Sequence, residues 1–335
     1  MTRAISSFVT KPFSDDKLQD LLSFVTYNAR HRWPGVTYVM NSDIIWQLPA
    51  ANPERMIRLW YDKDPDQSSD AELLGFAWLQ LNGPVLMDLR AGLGWKHPVA
   101  ANMLDWLETA RSQYPPAYPW LLELTNMDEW EQALTDELPL KLDSNITFQV
   151  SCFDQDVDRA EFLASRGYSP SNHFHYSMLR SLNVPIPSAD LPPGFSIRHV
   201  EADDFAERVA THRDAWFKSG YNLAAYTELR DSPSFNHQLD LVAVAPDGRF
   251  GSYCVGWLDE VFKVGSFEPV GTRPAFRRLG LGQQVNYEGL RRMKQMGMLN
   301  ASIGTAGFND RAFGLYSSCG FELIDRNRTY TKTPD

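Results

Sequence analysis

The stretch Arg277 to Gln284, RRLGLGQQ, places two cations and two glycines at the entry to a helical pattern. Glycine lets backbone come close to a ligand, and the unpaired N–H groups of a helix N-terminus attract negative charge. The chemistry implied is anion binding; the plain alternative is a helix that starts after a tight turn. Two phosphate motifs do not fit. A dinucleotide fingerprint needs G-x-G-x-x-G, and the third position after Gly282 is Val285. A P-loop needs a lysine behind its last glycine, and none follows here. The pattern that fits is R/Q-x-x-G-x-G/A, from Arg277 to Gly282.

Other reactive residue types offer less. Cys319 precedes Gly320 at a helix end and Cys254 lies in an apolar strand run, so both read as small buried hydrophobes. His173 and His175 alternate in NHFHYSML and share one strand face. A metal would need a third ligand and none stands out, so a polar strand face without a metal is expected.

The loop must be held by elements, and these occur twice. LLGFAWLQLNG (Leu73 to Gly83) and GSYCVGWLDEV (Gly251 to Val261) each read as a strand with a Trp-Leu pair, Trp78-Leu79 and Trp257-Leu258. Each is followed by a second strand, PVLMDLRAG or VGSFEPVGT, and then by a helix, VAANMLDWLETARSQ or LGQQVNYEGLRRMKQMG. In the latter, Val285, Leu290 and Met293 fall on one helical face. Each half then closes a short helix on Gly-aromatic, RAEFLASRGY and RAFGLYSSCGF. The order strand, strand, helix, strand, helix, strand predicts an internal duplication of a mixed α/β unit. SLNVPIPSADLPPGF (Ser181 to Phe195) carries four prolines and reads as an extended connector. The expected division is 1–180, a linker over 181–194, and 195–335. YPPAYPWLLELTNMDEWEQALTDELPL, in the first half, reads as a surface excursion.

Composition narrows the partners. With 335 residues, 43% hydrophobic and 13% aromatic, the chain can bury more than one core. A net charge of −10 argues against general nucleic-acid or anionic-membrane binding. No run of roughly 18 apolar residues exists to span a membrane. Three scattered cysteines without a CxxC point to a reducing, cytoplasmic setting.

The loop, the strand FEPVGTRPAF ahead of it and GFNDRAFGLYSSCGF some thirty residues beyond resemble the GCN5-related N-acetyltransferase superfamily over most of Phe195 to Lys332. The whole chain resembles a tandem member, similar in layout to mycothiol synthase, although no residue points to mycothiol synthesis. The resemblance implies an α/β (α+β) fold of two tandem domains, each a mixed, mostly antiparallel sheet flanked by helices. It implies acetyl-CoA as co-substrate. Val270, Gly271 and Thr272 would hydrogen-bond the pantetheine arm through backbone groups. Arg277, Arg278, Leu279, Gly280, Leu281, Gly282 and Gln283 would cradle the pyrophosphate, with Arg273 a further cation. Asn309 would lie beside the cofactor, and Tyr316 would point at the sulfur.

Acyl transfer to an amine needs a base for the amine proton and an acid for the leaving thiolate. Tyr316 suits the acid, against packing as a half-buried helix tyrosine. Glu268 is the candidate base because alternation sets it on one face with Val270 and Thr272; a solvated strand-end carboxylate is the alternative. Asp259 and Glu260 are weaker candidates. His212, Arg213 and Trp216, in ERVATHRDAWF, can line the acceptor site or simply pack.

The two copies differ. The first has GLGWKHPVAAN where the second has its loop, with no glycine pair and no arginine after His97-Pro98. Aligning Gly167 with Gly320 puts Leu163 at the place of Tyr316 and Asp156 at that of Asn309. The first copy is therefore expected to lack an acetyl-CoA site and to serve structure or acceptor binding, its NARHRWPGVTYVMNSDIIW offering a wall. The function expected is acetyl transfer to an amine on a small molecule or peptide, by a monomer or homodimer. A non-catalytic acyl-CoA sensor or scaffold is the alternative, and it would not need Tyr316 and Glu268.

Overall fold

The structure, a computed structural model, describes residues 7–32, 38–39, 44, 48, 56–80, 85–114, 148–188, 190–216, 219–232 and 234–333. The excursion after Tyr114 and most of the segment from Trp33 to Trp46 lie outside the described residues. Strands β1 (Val9–Pro12), β2 (Ile57–Tyr61), β3 (Leu73–Trp78) and β4 (Leu86–Leu89) form a four-stranded sheet in that order. Helices α1 (Leu18–Arg32) and α2 (Pro98–Gln113) pack on it. Gly75 explains why α2 lies so close: a Cβ there would meet Met103 Sδ at 2.6 Å. Strand β5 (Phe148–Phe153), α3 (Val157–Ser165) and β6 (Ser169–Ser181) complete the first series.

The second series repeats it. Strands β7 (Ser196–His199), β8 (Asp240–Val244), β9 (Phe250–Asp259) and β10 (Val264–Thr272) lead to α6 (Leu281–Gln295), β11 (Asn300–Ala306), α7 (Asp310–Ser318) and β12 (Glu322–Lys332). Helices α4 (Phe205–Ala215) and α5 (Leu223–Arg230) fall between β7 and β8. The duplication shows in the caps as well: Asp156 accepts from Arg159 N at the start of α3, and Asn309 accepts from Ala312 N at the start of α7.

The halves exchange their last strands. The second sheet runs β5-β12-β6-β11-β10-β9-β8-β7, so β6 lies between β11 and β12, while β12 lies between β5 and β6. All three of these contacts are antiparallel. A parallel bridge from Val85 to Val150 joins the two sheets. Neither half closes its sheet alone, which alternation and periodicity within one half do not reveal. The proline-rich connector is docked: Arg180 and Arg291 donate to the carbonyls of Pro185 and Pro187, and Asp190 N donates to Gln284 Oε1.

A buried charge cluster ties α4 and α5 to β8. Asp240, wholly buried, accepts from Arg208 Nε at 3.0 Å, from Arg230 at 3.2 Å and from the Tyr226 hydroxyl. Arg208 also lies over the Tyr253 ring at 3.7 Å. Asp240→Ala would leave two buried guanidiniums without their anion. We predict a loss of about 3–5 kcal/mol, measured by denaturant titration, and a loss under about 1 kcal/mol would show that the cluster is solvated.

Candidate functional site

Strand β10 pairs with β9 along most of its length, but with β11 only over Val264 to Ser266, opposite Asn300 to Ser302. Beyond that, β10 runs on to Thr272 and β11 to Ala306 without pairing with each other. The two strands part, and among the described residues no strand pairs with Val270, Gly271 and Thr272 on the β11 side. An extended ligand carrying amides can occupy such an edge.

The register shifts between Phe267 and Val270, where Glu268 and Pro269 together stand opposite Val255. Simple alternation therefore fails, and Glu268 does not share a face with Val270 and Thr272 through a period of two. Phe267 and Val270 both pack into the core beneath α6. The Glu-Pro pair was the sequence signal, since proline cannot donate to a ladder and marks bulges. Glu268 is exposed, and its backbone oxygen accepts from Trp257 Nε1 at 2.7 Å.

The glycine loop follows. Arg277, Arg278, Leu279 and Gly280 are all exposed. Arg278 and Gly280 both have left-handed backbone, φ 67° and 75°. Gly280 caps α6, and a Cβ there would meet nothing within 4 Å, so its surroundings are open to a ligand. Gly282 does a different job: a Cβ there would stand 3.3 Å from Leu315 Cδ2 and from Thr272 Oγ1, so it lets α6 start tightly against α7 and β10. The first bond within the helix is Gln284 N to Gly280 O, which leaves the N–H groups of Leu281, Gly282 and Gln283 unpaired within it. Gln283 Nε2 donates to Ser318 Oγ and fastens the loop to α7. Arg273 is no phosphate ligand as it stands. It is buried, pairs with Glu207 and lies 2.8 Å from Asp214.

Tyr316, on α7, is 6% exposed, and its hydroxyl makes no hydrogen bond among the described residues. Burial first, and the charge of Glu268 second, push its phenol well above the usual range. The phenol therefore stays protonated at neutral pH, and Glu268 is close enough for its charge to be felt. Asn309 sits at the mouth of the same helix with its side-chain oxygen engaged in the cap. Asp259 accepts from the amides of Val261 and Phe262, and burial raises its pKa; Glu260 pairs with Lys263 at 2.7 Å. Both serve their turn. Cys254 and Cys319 are buried, and burial pushes the Cys319 thiol up to about 12. Among the described residues no group of three His, Cys, Asp or Glu could hold a metal ion.

His212, a candidate for the acceptor side, is held by two neighbours. Its Nδ1 lies 2.7 Å from the Tyr253 hydroxyl and its Nε2 3.2 Å from Ser219 Oγ. Burial, followed by the Arg208 charge, lowers its pKa to about 4, so the ring is neutral. Tyr253 in turn packs under Gly271, where a Cβ would meet its ring at 2.5 Å and Ala215 of α4 at 2.9 Å. The His212 cluster thus supports the open strand from below, a contact that sequence spacing did not show. Trp216 and Arg213 are exposed beside it.

The corresponding place in the first half is built differently. A cavity of about 240 Å3 is lined by Arg32, Arg90, Gly92, Gly94, Trp95 and Asp156 among others. Arg32 is held by Asp88 at 2.6 Å, while Asp156 accepts from the Tyr38 hydroxyl and the Trp95 indole. Leu163, at the place of Tyr316, is wholly buried.

An opened strand pair, a glycine-capped helix and a buried tyrosine lie together in the second half. Residues 205–321 match the model of the acetyltransferase (GNAT) family, and that stretch holds every candidate above. That match lies within the second half of the chain. No curated protein matches it by sequence. Among solved structures it is similar to a GCN5-related N-acetyltransferase from Sphaerobacter thermophilus, at 14% identity and TM-score 0.64, over 97% of this chain and 95% of that one. It is also similar to a tandem GNAT protein from the clavulanic acid biosynthesis pathway, at 13% identity and TM-score 0.65, over 98% and 100%. A putative acetyltransferase from Pyrococcus horikoshii follows at 11% and TM-score 0.52, over 100% and 92%. At these identities the likeness is one of fold, and it extends over both halves. Among the described residues no helix is long and apolar enough to cross a membrane.

Proposed function

We propose that the protein transfers an acetyl group from acetyl-CoA directly to an amine. The observation that carries this is the parting of β10 from β11 next to the open Gly280 cap, with Tyr316 and Glu268 within charge range of each other. The pantetheine arm lies along Val270, Gly271 and Thr272, and the pyrophosphate meets the free N–H groups of Leu281, Gly282 and Gln283, with Arg277 and Arg278 beside it. Glu268 takes a proton from the bound ammonium, directly or through one water. The amine nitrogen attacks the thioester carbon, the C–S bond breaks, and Tyr316 gives its proton to the departing thiolate. With Cys254 and Cys319 buried and their thiols protonated, no acyl-enzyme is needed. A sensor would have no use for a protonated tyrosine within charge range of a carboxylate.

The catalytic half is 195–335. The first copy holds no acetyl-CoA: its cations are already paired, a carboxylate replaces Asn309, and no unpaired helix start follows glycine. Calorimetry with acetyl-CoA is expected to give one site per chain, and two equal sites would overturn the assignment. Gly280→Val is expected to abolish binding with circular dichroism unchanged. A side chain at φ 75° costs only about 1–2 kcal/mol, yet it fills the approach to the amides. Binding that persists in this variant would place the cofactor elsewhere.

A further inference from the structure

One face of the sheet has no part in the roles above. Register sets His175 opposite Asn327 of β12 and Ala306 of β11, and Ser177 opposite Asp325 and Gly304. Residues directly opposite share a face, so these six form one surface. Their neighbours on β6 point the other way: Met178 is buried under the α6 and α7 core, and Tyr176 packs on Phe313 of α7 at 4.4 Å.

Inner strands of a helix-covered sheet ordinarily carry apolar residues on both faces. Here the second face is short and polar. His175 and Gly304 are exposed, and Ser177 and Ala306 are half-buried. Asp325 is 8% exposed with Oδ2 unpartnered, and Asn327 Oδ1 is unpartnered too. Buried acceptors without donors are unfavourable and invite a donor from outside. His175 is exposed, and partial burial followed by the His173 charge lowers its imidazole pKa.

The surface borders the proposed reaction centre. Ser302, two residues before Gly304, pairs with Ser266 of β10 at the point where the strands part. Trp257, opposite Ser266, packs with Leu229 of α5 and with Phe235, which walls this face on the second-half side. The charge of Arg30 on α1 reaches Asp259, which brings the first half to the β9–β10 turn.

We propose that this floor, contributed by β6 of the first copy and by β11 and β12 of the second, seats the acceptor, and that the acceptor is a small amine bearing several further hydrogen-bond donors. The proposal rests on the acetyl-transfer reading, because it sets the acceptor across the sheet from the α6 N-terminus and next to the opened strands. The neutral His175 ring, Asn327 Oδ1 and Asp325 Oδ2 all accept hydrogen bonds, so hydroxyls or additional amino groups are what the floor recognises. An amine whose remainder is apolar would leave these acceptors unmatched, which is how such sites discriminate. The strand exchange thereby gives the first copy a share in specificity without a cofactor of its own.

The test follows the His175 ring signals by NMR in the full chain, assigned through their loss in His175→Gln, with and without CoA. Glucosamine, spermidine and phenethylamine are the probes. Glucosamine or spermidine is expected to shift the His175 signals in a saturable way, phenethylamine is not, and Asn327→Leu or Ser177→Val is expected to weaken the response about tenfold. Two variants on two strands guard against misfolding of one. Silence with both polar probes, an equal response to phenethylamine, or an unchanged response in both variants overturns the proposal. The two readings separate cleanly. A chain that binds CoA but shows no shift refutes the floor alone. One that shows the shift but binds no CoA refutes acetyl transfer and leaves the floor standing.

Discussion

Tyr316→Phe is expected to lower turnover about 10²–10⁴-fold, the range for removal of a general acid, with the acetyl-CoA dissociation constant almost unchanged. The hydroxyl makes no hydrogen bond among the described residues, so its loss should cost little in folding. Its pKa is raised by burial and then by the Glu268 charge, which keeps the proton on oxygen at neutral pH and so available as a donor. On the acetyl-transfer reading, the charge that develops on the departing sulfur receives that donor. Because the need arises only as the C–S bond breaks, the loss falls on kcat rather than on binding. Equal turnover of wild type and Tyr316→Phe on an amine that the enzyme acetylates would reduce Tyr316 to a packing residue against Phe321.

Glu268→Gln should produce the second large effect, a fall in kcat/KM of about 10²-fold or more near neutral pH. The wild-type profile is expected to rise with pH as the base and the amine lose their protons. In the variant that rise should be displaced to higher pH, where the amine alone supplies the neutral form. The sign follows from the chemistry: a carboxylate that must accept a proton works only above its own pKa. Full activity at every pH in Glu268→Gln would remove it from the mechanism. Asp259 and Glu260 are poor substitutes, since both are engaged in the β9–β10 turn. Glutamine keeps the bulged backbone, so the comparison isolates charge rather than shape.

Separating the halves would not give an independent enzyme. A cut in the connector removes β6 from between β11 and β12, exposing two strand edges and the Tyr176 and Met178 side of the core. The first copy is thus required for the sheet of the second, whatever its role with the acceptor.

Much of this was determined by the amino-acid order alone. The R-x-x-G-x-G run, the strand before it and the helix ending on Gly320-Phe321 are local patterns, and local patterns obey the periods of helix and strand. The same holds for the duplicated order, because each helix and strand writes its own buried stripe. The alignment of Asp156 with Asn309 rested on counting from one glycine, and both residues cap their helices in the same way. What only the tertiary structure decided is whatever depends on residues far apart in the chain. The exchange of β6 and β12 depends on pairing across about 150 positions, and no period within either strand records its partner. The bulge at Glu268 shifts a face by one residue, so counting by two misplaced that carboxylate. Arg273 looked like a phosphate ligand beside the loop, but Glu207 and Asp214 on α4 claim it once the chain is folded. The paired histidines of β6 were legible as a polar strand face. That this face lies in the middle of a sheet shared by both halves, at the edge of the opened strands, followed only when the strands were in place.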